Sequence, residues 1–103
     1  MASEIDPTII DIARRYANVL RENNVPFESV WLFGSAVKNQ NAPDSDIDIA
    51  IVMKDVAVKF FKEVELMKYR RKIDSRIEPH ILTLDEMDSS FSLEIMRTGL
   101  KVA

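Results

Sequence analysis

Ser29-Val30-Trp31-Leu32-Phe33-Gly34-Ser35, a polar stretch running through Pro43-Asp44-Ser45, and then Asp46-Ile47-Asp48-Ile49-Ala50-Ile51-Val52-Met53: this segment decides the fold. It reads as a strand ending in Gly-Ser, a loop, and a strand that opens on two carboxylates. Side chains alternate across a strand, so Asp46 and Asp48 share one face with Ala50 and Val52, while the isoleucines and Met53 point to the other. The isoleucine face is core. The aspartate face must hold something, because adjacent carboxylates repel and aspartate is disfavoured in a β-branched strand. Residues two apart on a strand lie about 6.6 Å apart at Cα, and their carboxylates can lean together on hard divalent cations, which take oxygen ligands. The pattern therefore points to a metal-dependent phosphate site. Taken alone, Asp-x-Asp also suits two solvated aspartates at a strand edge, and Gly34-Ser35 an ordinary turn.

The stretch Gly34-Ser35-Ala36-Val37-Lys38 through Pro43-Asp44-Ser45-Asp46-Ile47-Asp48 resembles the signature of the minimal nucleotidyltransferases of the DNA polymerase beta superfamily. The resemblance implies an α/β fold, a palm-like mixed sheet with helices on one face. It also implies that Gly34 and Ser35 lie beside a triphosphate, with Lys38 the cation of that loop, and that Asp46 and Asp48 bind divalent metal. A third carboxylate is expected from a later strand. Glu78, in Arg76-Ile77-Glu78-Pro79-His80-Ile81-Leu82, suits it, since alternation puts Arg76, Glu78, His80 and Leu82 on one face. In the family the first position after Gly-Ser is often Arg or Tyr, a glycine lies four residues beyond the serine, and an arginine precedes Pro-Asp-Ser-Asp. Here those positions are Ala36, Asn39 and Ala42, and asparagine tolerates the positive φ of a turn.

The implied chemistry is transfer of an NMP group from an NTP to a hydroxyl. Two Mg²⁺ ions would be held by Asp46, Asp48 and Glu78, with Glu78 also helping to take the hydroxyl proton. Small members of the family are often antitoxins paired with a HEPN-type toxin, some of them transferring AMP to a tyrosine of the toxin, so a HEPN-type toxin protein is the expected partner. The competing expectation is a non-catalytic antitoxin or binding module that keeps the fold and covers its partner's surface. Three converging acids favour the enzyme.

Composition bounds the rest. With 103 residues, 47% hydrophobic and 30% charged, the chain can bury one core, and a single domain over 1–103 is expected. There is no cysteine, which excludes disulfides and thiolate metal sites. The net charge of -3 and pI near 5.1 argue against a shell built for duplex nucleic acid. Met1 to Pro7 lacks a basic start and an apolar run, and no apolar stretch is long enough for a membrane span, so a cytoplasmic protein is expected. Lys68-Tyr69-Arg70-Arg71-Lys72 is the local exception, read as the solvated C-terminal turn of a helix or as a contact for an acidic partner.

Helices and strands alternate along the chain. Asp6 caps a helix with Pro7 at its first position, and its stripe of Ile9, Ile12, Ala13, Tyr16, Ala17 and Leu20 runs to about Asn23-Asn24. Ala57, Phe60, Phe61, Val64 and Met67 mark a second helix to about Lys72. Thr83 with Glu86 resembles a capping box, and a last helix over Leu93 to Thr98 ends at Gly99 before a short strand. His80, Trp31, Tyr16 and Tyr69 receive no role, since each is at home as a packed or surface residue.

Overall fold

The computed structural model describes residues 5–38 and 45–103. Helix α1 spans Pro7–Glu22 and starts as its sequence demands: the Asp6 carboxylate accepts from Thr8 N–H at 2.9 Å, and Pro7 occupies a position that needs no donor. It stops because Asn24 adopts φ 60°, so that Asn24 N–H reaches Arg21 O and Val25 N–H reaches Leu20 O, both at 3.0 Å. Strands β1 (Ser29–Phe33) and β2 (Ile47–Met53) pair antiparallel, helix α2 is Lys59–Met67, and Lys68–Lys72 continues it as a tighter 3₁₀ turn. Strand β3 (Ile77–Thr83) lies parallel to β2, helix α3 is Ser90–Thr98, and β4 (Leu100–Lys101) returns to pair with β1. The sheet order is β3-β2-β1-β4.

The two faces of this sheet have different fates. Val30, Leu32, Ile47, Ile49, Ile51, Ile77 and Ile81 pack under Ile9, Ile12, Ala13, Tyr16 and Leu20 of α1 and Leu66 of α2. This is the isoleucine face expected from alternation. Tyr16 is fully buried in it, and its hydroxyl donates to Leu66 O at 2.6 Å, which ties α1 to the end of α2. Burial pushes the Tyr16 phenol up from its ordinary pKa.

On the opposite face Phe33, Ala50, Val52 and Leu82 pack with Ile95 of α3. Helix α3 therefore covers part of the face expected to stay clear of helices. It covers the end bearing Ala50, Val52 and Leu82, and the end bearing Asp48 and Glu78 lies beyond this cluster. Gly99 allows the chain to turn from α3 into β4, because a Cβ there would lie 2.6 Å from Ile95 O and 2.9 Å from Leu32 O.

A second departure concerns α2. Phe60 and Phe61 are 67% and 69% exposed, and Val58 and Val64 are also exposed; Leu66 alone in this helix is buried. The apolar residues that reveal the helix are on its outer side.

Candidate active site

The parallel register of β2 and β3 sets Asp48 opposite Glu78 and Ala50 opposite His80. All four side chains share the face that α3 covers only in part. Asp46 sits one residue before β2, exposed at the mouth of the site. It hydrogen-bonds Glu78, and its charge with that of Asp48 and partial burial raises the Glu78 carboxyl above its ordinary pKa, burial being the largest cause and His80 opposing it. Asp48 and Glu78 thus face each other, with Asp46 beside Glu78.

Gly34 closes the site from the other strand. Antiparallel pairing sets Phe33 opposite Asp48, and the chain leaves β1 at Gly34 with φ 78°. A Cβ on Gly34 would stand 2.5 Å from Asp48 Oδ2, so a side chain is excluded both by backbone conformation and by the carboxylate. Gly34–Ala36 form one 3₁₀ turn, and the N–H of Lys38 donates to Ser35 O at 3.2 Å. Ser35 follows Gly34 as the middle residue of this turn. Lys38 is exposed, and no ion pair joins it to Asp46, Asp48 or Glu78 among the described residues. Asn39 and Ala42 lie outside the described residues.

His80 is the residue that sequence reasoning left without a role. Its Nε2 lies 3.2 Å from Asp48 Oδ1 and 3.8 Å from Glu78 Oε1, and the three residues can present ligand atoms within 4.8 Å of one another. Alternation already placed His80 beside Glu78; the missing signal was the register that brings Asp48 alongside. Arg70, from the basic segment, has a structural duty, since its guanidinium donates to Ile77 O at 2.8 Å. Trp31 packs against the α3 cluster and donates to Ser29 Oγ at 3.0 Å.

Oxygen donors in excess of their counter-charge, beside a turn with no room for a side chain, have the chemistry to hold a hard cation. Comparison with known proteins gives it a family. Residues 9–103 match the polymerase beta nucleotidyltransferase family, and the chain belongs to it. No curated relative matches the chain.

Solved structures share the fold. A Sulfolobus solfataricus protein assigned as a nucleotidyltransferase superposes with TM-score 0.64 at 20% identity, over 90% of this chain and 78% of its own. A toxin-antitoxin structure with AMP-PNP gives 0.65 at 23% identity, over 87% and 72% of the two chains. A mutant of the toxin-antitoxin MntA-HpeT, carrying two aspartate-to-glutamate changes two positions apart, gives 0.66 at 22% identity, over 88% and 72%. At these identities the likeness is one of fold. The chain is a nucleotidyltransferase by family, and its fold is the one these structures share.

Proposed function

We propose that this chain transfers an NMP group from an NTP to a hydroxyl acceptor with divalent-cation assistance, and that the acceptor is carried by a partner protein of the HEPN-type toxin class. The observation that carries the reading is the Gly34 turn standing against Asp48 while Glu78 faces Asp48 across the parallel pair. The donor set fits a hard cation: Asp48 and Glu78 face each other across the parallel pair, Asp46 hydrogen-bonds Glu78, and burial, with the charges of Asp46 and Asp48 added, holds Glu78 toward its protonated form. These three residues would hold Mg²⁺. When bound, the cation supplies Lewis acidity toward the triphosphate and offsets the charge that gathers as the phosphoryl group moves.

The chain's own residues do the rest. Gly34 brings backbone to the phosphates where a Cβ would block them, and Ser35 adds a hydroxyl and an N–H donor. Glu78 takes the proton of the acceptor hydroxyl, a role open to a carboxylate that faces Asp48 at the site. The hydroxyl oxygen then bonds to the α-phosphorus, the bond to the β-phosphate oxygen breaks, and pyrophosphate leaves. Replacing Asp46 or Asp48 with asparagine removes an anionic ligand and a repulsion together, so transfer is lost while the fold persists.

Two supports favour a protein acceptor. The solved neighbours include toxin-antitoxin assemblies. This chain also displays Val58, Phe60, Phe61 and Val64 on the outside of α2, beside a groove of about 260 Å³ lined by Phe60, Val64, Met67, Pro79, Glu78 and His80. Exposed aromatic residues of that kind suit a macromolecular contact. The same surface is what a purely covering, non-catalytic module would use, and the assay must separate the two. Thermal-shift titration with ATP, GTP, CTP and UTP, with and without Mg²⁺, does so. Transferase function predicts stabilisation requiring nucleotide and cation together, lost in Asp46→Asn/Asp48→Asn. Absence of nucleotide binding by the wild type, alone and with its partner, would leave the covering module.

A further inference from the structure

We propose that the His80 imidazole is itself a metal ligand, so that this site favours first-row transition-metal cations, Co²⁺ above Mn²⁺, over Mg²⁺; the inference rests on the metal-site reading above. The distances carry it. Nε2 of His80 stands 3.2 Å from one Asp48 oxygen and 3.8 Å from one Glu78 oxygen, closing a triangle of one nitrogen and two oxygens.

One flank of the ring is packed against an aromatic residue. Its edge meets Phe33 with centroids 5.3 Å apart and planes at 70°, and Phe33 is braced in turn by Phe91 at 5.6 Å and 84°. Ala50, opposite His80 in the register, is the small residue that leaves space for the ring. A histidine so braced loses little conformational freedom when its nitrogen meets a cation. It is also placed two residues from Glu78 on the same strand face, which fixes the two donors relative to each other.

The chemistry of the donors then sets the preference. Mg²⁺ demands oxygen and near-ideal octahedral geometry, whereas imidazole nitrogen suits later first-row cations, whose affinity for a nitrogen-containing site rises along the series. Adding one nitrogen to a carboxylate pair favours those cations and gives Mg²⁺ nothing. In the metal-free protein an Nε2–H would donate to Asp48; a cation would need Nε2 unprotonated, so the Nε2 proton would pass to solvent and the neutral ring would carry its single proton on Nδ1.

The test loads the full chain with Mn²⁺ alone and reads pulsed electron paramagnetic resonance for coupling to a directly bound imidazole ¹⁴N. Calorimetric titrations of Mg²⁺, Mn²⁺ and Co²⁺ into wild type, His80→Gln and Glu78→Gln accompany it. The proposal expects a ¹⁴N signal in the wild type that vanishes in His80→Gln. It also expects Mn²⁺ and Co²⁺ affinity to fall about tenfold or more in that variant, with Mg²⁺ affinity within about threefold of wild type. Circular dichroism melts of the variants verify that each is folded. Cation binding with no ¹⁴N coupling, or with equal losses for all three cations in His80→Gln, overturns the ligand role and leaves the carboxylate site standing. A wild type that binds no divalent cation overturns both.

Discussion

Gly34 and Glu78 are where single atoms decide most. Alanine at position 34 would force a φ of 78° on a residue with a Cβ and press that Cβ onto Asp48 Oδ2. Gly34→Ala is expected to cost about 1–3 kcal/mol in urea unfolding, from left-handed backbone strain, and to weaken divalent-cation binding because Asp48 must move. Glu78 shows the opposite sign. Its ionised form is disfavoured in the fold, so Glu78→Gln is expected to raise the melting temperature of the metal-free protein at neutral pH. The same variant should lose the stabilisation that a divalent cation gives the wild type, and melts with chelator and with cation check both effects.

At the scale of elements, β3 is an edge strand whose outward N–H groups are already occupied. Ile77 O accepts from Arg70, Pro79 has no N–H, Ile81 N–H donates to Glu63 Oε2 at 3.0 Å, and Thr83 N–H donates to Glu86 Oε1 at 2.9 Å. The edge offers no free N–H to a further strand. Glu63→Ala is expected to cost about 1–3 kcal/mol, since it strands the N–H of a residue only 3% exposed, and Glu63→Ala/Arg70→Ala should self-associate in analytical ultracentrifugation. Helix α2 offers a sharp contrast of magnitudes. Leu66→Ala should cost about 2–5 kcal/mol, whereas Phe60→Ser or Phe61→Ser should change stability by less than about 0.5 kcal/mol; urea titrations of the three variants decide which side of α2 is core.

Much of this was legible in the sequence. The bounds of α1 follow from Asp6, Pro7 and Asn24, and the strands from a period-two pattern, because capping and alternation are local. The outward face of α2 was not legible, since a stripe that meets the core and a stripe that meets a partner have the same spacing. The parallel pairing that sets Asp48 beside Glu78 and His80 is a long-range event that no local pattern encodes. Likewise, nothing around Ile95 announces that α3 crosses to the carboxylate face.

For the molecule as a whole, the acidic site and the surface ion pairs pull the pH profile in opposite directions. Asp74 is held below its ordinary pKa by hydrogen bonds from Arg76, and Glu86 by Lys59 and Thr83, so each adds stability above its unfolded pKa and loses it as pH falls through the lowered folded value. Glu78, raised, costs stability as pH climbs from its unfolded value through the higher folded one. The metal-free chain should therefore gain stability through the acid range and turn down above the ordinary carboxylate range, and a divalent cation should remove the downturn by favouring ionised Glu78. Melts from acid to neutral pH, with and without cation, give the two curves.

The most direct test of the central claim is a crystal structure of the chain with a non-hydrolysable NTP analogue and Mn²⁺, read by the anomalous signal of the metal. The account predicts metal density touching Asp46, Asp48 and Glu78, with the triphosphate lying along Gly34 and Ser35. Nucleotide and metal bound elsewhere, with those three carboxylates unliganded, would contradict it.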